Sequence, residues 1–451
     1  MSNSNDQSPK HTRRDFLRAS AALGAGASMA LSSAASYARI LGANDRMNLA
    51  FAGVRSRGKA LIESAAAVGG NSVNVHTLCD VDSNVLADIS AFTSDLTGSA
   101  PAAVADYRRV VDDREVDAVF IATPDHTHAP FAVYSMEAGQ DVYLEKPCSH
   151  NPYEGELLVK AKDRYGRVVQ MGNQQRSAPT SIEAVGDIRD GLIGTPYMGK
   201  AWYANTRGSI GTGRVADVPD WLDWDLWQGP APRVDYRDNL VHYNWHWFWH
   251  WGTGEINNNA LHEMDICRWA LGVELPNRVT SSGGRYHFDD DWEFFDTQIA
   301  TYEYEGGKQI AWEGRSCNGH PFFDRGRGAT IHGTDGTVML DRNGYSLYDH
   351  GGKLIKQVNE RARSGTTDVV GGGALDNLHI GNFFAAIRDG AALHSPIEDG
   401  HISTLMCHLG NIAQVHGGAL DIDPATGRIR NNREAMRLWR RDYAPGWEPK
   451  V

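Results

Sequence analysis

Hydrophobic positions along the chain fall into two regimes. Over residues 46–171, short apolar runs alternate with helical stretches. RMNLAFAG at 46–53 reads as an apolar strand ending in glycine, 54–58 as a turn and 59–68 as a helix. Residues 73–79 alternate apolar and polar side chains and end at Asp80. VDAVFIAT at 116–123 is a continuous apolar run, as expected of a strand covered on both faces in a parallel sheet. A helix over about 128–138 and strands at 141–144 and 168–171 follow. This alternation predicts a doubly wound parallel sheet with right-handed crossovers, a Rossmann-type domain over 45–167.

From residue 168 the texture changes. A tryptophan-rich segment, 221–251, has little periodicity. Segments 279–286, 296–304, 308–315, 328–340 and 345–348 read as strands without long helices between them. Helices are expected around 181–191, 259–271, 376–389 and 402–416. The pattern predicts an α+β domain, 168–451, on a mostly antiparallel sheet. The length of 451 residues suits two such domains, and 41% hydrophobic residues suffice for their cores.

Residues 1–44 stand apart as a signal and linker. TRRDFLR at 12–18 precedes an apolar, small-residue stretch over 19–35, and Ser36-Tyr37-Ala38 resembles a cleavage site. That order is a twin-arginine export signal, which places the mature protein in the periplasm or otherwise outside the cytoplasm. The stretch is too short and too rich in Gly, Ala and Ser for stable membrane insertion. The net charge of -12 is spread along the chain and argues against nucleic acid or an anionic membrane surface as partner. Five cysteines with no CxxC spacing argue against a disulfide framework or a cysteine-rich zinc site and read as buried thiols.

Three runs carry candidate chemistry. The turn Gly53-Val54-Arg55-Ser56-Arg57-Gly58 keeps the first and third glycines of G-x-G-x-x-G, with Arg55 at the middle one. It follows a strand and opens a helix whose N-terminus can take an anion, with Arg55 and Arg57 adding charge. Asp80 ends the next strand 22 residues after Gly58, where a carboxylate bonds a ribose diol and repels a 2′-phosphate. That favours NAD over NADP. Thr123, Pro124, Asp125 and His128 end the long strand and line the same cleft, with Asp125 or Thr127 as a helix cap. The run GTGEINNNALHEMD, 252–265, places His262 and Asp265 three apart on neighbouring helical positions. With Lys146 of LEKP at a strand end, His262 forms a candidate proton-transfer pair around one substrate hydroxyl. Gln174 and Arg176, after strand 168–171, are placed to face substrate. Tyr243, Trp245 and His246 suit a carbohydrate pocket or, alternatively, an aromatic core. His246 and His250, with Glu255 near, would share a helical face as metal ligands do. There is no HExxH, and hydride transfer to NAD needs no metal, so none is predicted.

AGVRSRG, CDVD, TPDHTH, AGQDVYLEKP and GTGEINNNALH together resemble the Gfo/Idh/MocA family of sugar and inositol dehydrogenases, over nearly the whole chain after residue 45. The resemblance implies a Rossmann domain followed by a large open-faced antiparallel sheet, with the dinucleotide over the first and substrate between the two. It places Glu145 and Lys146 in the cofactor cleft and matches the family histidine to His262. It puts Asn258 where the family commonly has aspartate, and an amide cannot tune a neighbouring base as a carboxylate does. Either His262 is the base and Lys146 polarises the substrate oxygen, or the roles are reversed. The implied activity is NAD-dependent oxidation of a sugar, glycoside or polyol by a homo-oligomer, dimer or tetramer. Export implies a retained cofactor that each turnover restores, through a second sugar or through transient oxidation in a redox-neutral glycosidase. A non-catalytic carbohydrate-binding protein on a dehydrogenase scaffold is the remaining alternative. Arg55 and Asn258 fit it; Lys146 and His262 argue against it.

Overall fold

The computed structural model describes residues 46–360 and 373–451, so the export signal lies outside the described residues. The first half builds β1 (Met47–Ala52), α1 (Ser56–Gly69), β2 (Val73–Cys79), α2 (Ser83–Thr97), β3 (Ala102–Val104) and α3 (Arg108–Asp112). It continues with β4 (Ala118–Ile121), α4 (Asp125–Glu137), β5 (Asp141–Leu144), α5 (Pro152–Tyr165) and β6 (Val169–Met171). The six strands form one sheet, ordered β3-β2-β1-β4-β5-β6, and every pair is parallel. All four residues of β4 are buried, as its unbroken apolar run requires of a strand with helices on both faces. α2 starts where the Asp82 carboxylate accepts from the N–H groups of Asn84 and Val85.

The sheet corrects the domain boundary at 167. β6 pairs with β5 through Val142–Val169, so the Rossmann sheet closes at Met171.

The second half builds α6 (Pro179–Arg189), β7 (Pro196–Ala204), α7 (Trp224–Gln228), α8 (Leu261–Leu271), β8 (Arg278–Gly284), β9 (Thr297–Glu303) and β10 (Gln309–Arg315). Then come β11 (Arg327–Gly333), β12 (Thr337–Asp341), β13 (Gly344–Tyr348), β14 (Leu354–Asn359), α9 (Ala374–Asp389), α10 (Ile397–Val415) and β15 (Ala419–Asp421). Nine strands make a mixed, largely antiparallel sheet, ordered β14-β13-β12-β11-β7-β10-β9-β8-β15. Its parallel pair is β7 with β10. The stretch 328–340 is not one strand: a turn at 334–336 divides it into the β11–β12 hairpin. β7, β14 and β15 were not foreseen.

α8 packs on β7 and β11, and α10 runs between α5 and β8. α9 returns to the first half and packs on α1. Both sheets belong to one compact unit, Met47–Val451. The five cysteines are unpaired, four of them buried and Cys317 partly so. Among the described residues no helix is long and apolar enough to cross a membrane.

Candidate active site

A cleft of about 480 Å³ opens along the carboxyl ends of the Rossmann strands. Its floor begins at the glycine turn. Gly53 has φ +75°, and a Cβ there would stand 2.6 Å from the carbonyl oxygen of Ala122. A Cβ on Gly58 would fall 1.9 Å from Gly53 O, so β1 can meet α1 this tightly only through glycine. α1 begins without a side-chain cap and without an acidic residue in its first turn, which leaves its N–H groups for an anion. Asp80 lies beside the turn, its Oδ2 accepting from Val54 N at 2.9 Å and its Oδ1 from Asp82 N at 3.0 Å. Burial pushes its carboxyl up, opposed by those backbone bonds. These residues fit a dinucleotide: Gly53 and Gly58 would take a pyrophosphate at the helix N-terminus, and Asp80 would meet a ribose diol. Arg55 and Ser56 are exposed and line the cleft.

Arg57 has a fastening task in addition to its place in the cleft. It lines the cleft, but its Nε donates to Glu145 Oε1 at 2.7 Å and its two terminal nitrogens donate to Asp376 at 2.9 and 2.7 Å. It fastens α1 to the end of β5 and to α9. Glu145 also accepts from Gln174 Nε2 at 3.2 Å, which holds Gln174 at the cleft wall.

The segment 123–128 lines the cleft beyond β4. Neither Asp125 nor Thr127 caps α4; Pro124 is the cap residue, without a side-chain bond. Thr127 Oγ1 instead bonds Thr123 Oγ1 at 2.6 Å and Pro124 O at 2.8 Å. Asp125 Oδ2 accepts from Thr253 Oγ1 at 2.5 Å. Both ring nitrogens of His128 face carbonyl oxygens, Pro147 O and Thr123 O, each at 2.7 Å. His128 thereby ties the Lys146-Pro147 loop to the end of β4, a positioning role rather than a free contact.

Lys146 and His262 meet in this cleft from opposite halves of the molecule. Lys146 Nζ donates to Asn258 O at 2.8 Å and to Asn258 Oδ1 at 3.1 Å. Asn258 sits in a π-helical turn, Ile256–Ala260, that leads into α8; such turns depart from the regular helical ladder and recur at functional sites. Burial lowers the Lys146 pKa, and Asp125 and Glu145 work against that. His262 is buried, and its Nδ1 is enclosed without a partner. Burial holds its pKa well below the usual 6.5, and nearby Arg342, Lys146, Arg327 and Arg57 reinforce this. The imidazole is therefore neutral at neutral pH, with a lone pair available. Asp265 does not share this face. It pairs with Arg176 through two bonds of 2.7 and 2.9 Å and accepts from Ser403.

Arg176 is accordingly not a substrate residue. It is buried, bound to Asp265 and at 3.0 Å to Asp399, and does not line the cleft. Tyr243, Trp245 and His246 do line it, and Trp245 stacks on His246 at 3.6 Å between centroids. The rest of the segment makes an aromatic core of Trp224, Trp227, Trp251 and neighbours, as the packing reading of 221–251 expects. His246 and His250 do not share a helical face. His246 Nδ1 bonds Tyr243 O at 2.6 Å, and His250 Nε2 bonds Pro232 O at 2.7 Å.

The opposite wall holds residues the sequence reading did not reach. Arg207, in the loop after β7, donates to Glu255 Oε2 at 2.6 Å and to Tyr243 Oη at 3.0 Å, and lies 4.9 Å from the Trp247 ring centroid. Arg327, at the start of β11, donates to Glu263 Oε1 at 2.7 Å. His242 pairs with Asp82 at 2.9 Å across the far end of the cleft. Neither arginine stands in a motif. The one local signal is Glu255 within the 252–265 run.

Two family models match this architecture. One, an oxidoreductase family with an NAD-binding Rossmann fold, matches residues 47–173; its partner, the C-terminal alpha/beta domain of the same family, matches 195–343. The chain belongs to the Gfo/Idh/MocA oxidoreductase family. Within that family it is 29% identical to inositol 2-dehydrogenase 2 of Saccharopolyspora erythraea over 199 residues, 44% of this chain and 47% of that protein. It is 25% identical to levoglucosan dehydrogenase of Pseudarthrobacter phenanthrenivorans over 189 residues, 40% of this chain and 42% of that protein. A glycosyl hydrolase family 109 protein of Shewanella pealeana matches at 26% over 167 residues, 35% of each chain. The chain thus spans about half the length, or less, of these curated relatives. In three dimensions, levoglucosan dehydrogenase solved with NADH and L-sorbose superposes with a TM-score of 0.66 at 16% identity, over 84% of this chain and 99% of that one. That likeness establishes the fold shared with this Gfo/Idh/MocA chain.

Proposed function

We propose that the protein is an NAD-dependent oxidoreductase that oxidises a hydroxyl of a sugar, glycoside or related polyol. The observation that carries this reading is the convergence of Lys146 and His262 in one cleft with the glycine turn and Asp80. NAD, when bound, supplies the hydride acceptor. His262, a neutral imidazole lining the cleft, takes the hydroxyl proton. Lys146, held by two oxygens of Asn258, donates to the same substrate oxygen and polarises it. Tyr243 and the stacked Trp245–His246 pair offer aromatic faces to sugar C–H bonds, and Arg207 offers donors to hydroxyls. Relatives named inositol 2-dehydrogenase and levoglucosan dehydrogenase support a polyhydroxylated substrate.

The reading extends to export through the twin-arginine signal at 12–18, with a cofactor loaded in the cytoplasm and retained, and to a homo-oligomer. Outside the cytoplasm a released NADH has no ordinary route to reoxidation. The likeness to a glycosyl hydrolase family 109 protein favours one alternative outcome, a redox-neutral glycosidase working by transient oxidation, elimination, water addition and re-reduction.

The test is mass spectrometry and absorbance of the dinucleotide freed by denaturing purified protein, followed by a sugar and glycoside panel without added cofactor. Stoichiometric NAD with turnover supports the retained, self-restoring cofactor, and free sugar among the products selects the glycosidase. NAD that is reduced once and then stalls selects a dehydrogenase needing a second substrate or acceptor. No bound dinucleotide, and none taken up when added, overturns the proposal in favour of a carbohydrate-binding scaffold. Cell fractionation of an Arg13→Lys/Arg14→Lys variant tests export: retention in the cytoplasm supports it, unchanged distribution refutes it.

A further inference from the structure

One end of the cleft is walled by segments from outside the Rossmann fold. Past Asp80, the near wall is Val81, Ala105 and Tyr107; facing them stand Leu226 and Trp227 of the tryptophan-rich segment and Trp447 of the C-terminal tail. Both outer segments are fastened by backbone bonds to what they cover. Ser83 N donates to Trp221 O at 2.9 Å, Asp223 N donates to Val81 O at 3.0 Å, and Asp82 and Leu222 form an antiparallel bridge. His242, stacked on Trp221 at 5.3 Å, adds its 2.9 Å pair with Asp82.

The tail is held as firmly. Arg441 Nε donates to Glu154 Oε1 at 2.8 Å and Tyr443 Oη donates to the same oxygen at 2.9 Å, and Glu154 is fully buried. Tyr134 Oη donates to Trp447 O, and the Arg108 guanidinium lies 5.2 Å from the Trp447 ring centroid. Ala444 N donates to Pro230 O at 3.0 Å, so the two outer segments also hold each other.

The geometry points to a closed collar that receives the adenine of the dinucleotide against Trp447, Leu226 and Trp227 and keeps the cofactor bound through turnover. This rests on the dinucleotide reading of the cleft. With a ribose at Asp80, the base must lie past the end of β2, where the near wall is Val81, Ala105 and Tyr107. Aromatic faces stack well on a purine, and a base enclosed by bonded backbone leaves only when the collar opens. The retention falls on the dissociation rate.

The test is the release rate of NAD from folded holoprotein, chased with excess 1,N6-etheno-NAD and followed by etheno fluorescence and by chromatography of the freed NAD. Wild type is expected to keep its NAD through desalting and to exchange it over hours. Trp447→Ala is expected to exchange it roughly 5- to 150-fold faster, the range that loss of one aromatic stack implies, and Leu226→Ala roughly 5-fold faster, for the apolar contact a half-buried leucine gives up. Leu226 is only half-buried, so its variant carries the test where Trp447→Ala does not fold. Exchange within seconds in wild type, or unchanged exchange in a folded variant, overturns the collar. Failure of every form to bind either dinucleotide overturns instead the reading on which it rests.

Discussion

Lys146 Nζ faces two oxygens of Asn258, neither of them charged, so nothing at that position favours its ammonium as a carboxylate would. With His262 as base and the Lys146 ammonium as polarising donor, kcat/KM should need His262 deprotonated and Lys146 protonated. Its acid limb should therefore lie well below pH 6.5 and its alkaline limb below 10.5, following the two lowered pKa values. Asn258→Asp should move the alkaline limb upward by about one pH unit, the equivalent of about 1.4 kcal/mol favouring the ammonium. A pH profile of both proteins checks this, and an unmoved alkaline limb removes Lys146 from the role. Arg176 gives the contrasting case. Arg176→Ala would leave the buried carboxylate of Asp265 without its main partner, at a cost of about 3–5 kcal/mol. Urea unfolding should register that loss, while KM for substrate stays within about twofold. A large KM change with normal stability would return Arg176 to the substrate site.

The elements divide by how much of their environment is local. β4 was legible because both its faces are buried, and its run of apolar residues says so without knowledge of neighbours. The glycine turn was legible for the same reason: the close approach of β1 and α1 is made by residues five apart. Gly58→Ala should therefore abolish NAD binding and destabilise the fold by about 1–3 kcal/mol, read as a lower melting temperature that added NAD no longer raises. β7 was missed because its two faces do not alternate cleanly, and only the strands on either side define it. β14 is an edge strand with most of its residues exposed, and β15 has three residues, too few for a pattern. Side-chain partners are harder still. Arg57 reaches Asp376 across 319 positions and Arg176 reaches Asp265 across 89, and no local rule selects either. Arg57 lines the cleft all the same, whereas Arg176 is buried away from it. Strand ends and a helix start fix where Lys146, Asp80 and His262 point, which is why the three line one cleft as their places in the sequence suggest.

Several histidines among the described residues are buried as neutral rings. Burial pushes His246 and His408 down to about 3 and His379 and His401 to about 4. An unfolded chain binds these protons near pH 6.5 and the folded one does not. The stability they contribute is thus complete above pH 6.5 and drains away as pH falls toward 4. Each ring adds a slope of at most about 1.4 kcal/mol per pH unit. Raised carboxyls such as Asp125 act in the opposite direction. Calorimetry should show the melting temperature dropping between pH 7 and 5, before ordinary carboxylates titrate; a flat profile would mean these sites protonate without unfolding. The packing of α9 on α1, and of the tail on α4 and α5, carries a further consequence. The first domain to leave the ribosome cannot be finished until residues 374–447 have been made. Its exposed apolar surface must wait for that stretch, so a chain stalled or truncated before about residue 440 should be handed to chaperones rather than accumulate as a stable N-terminal fragment.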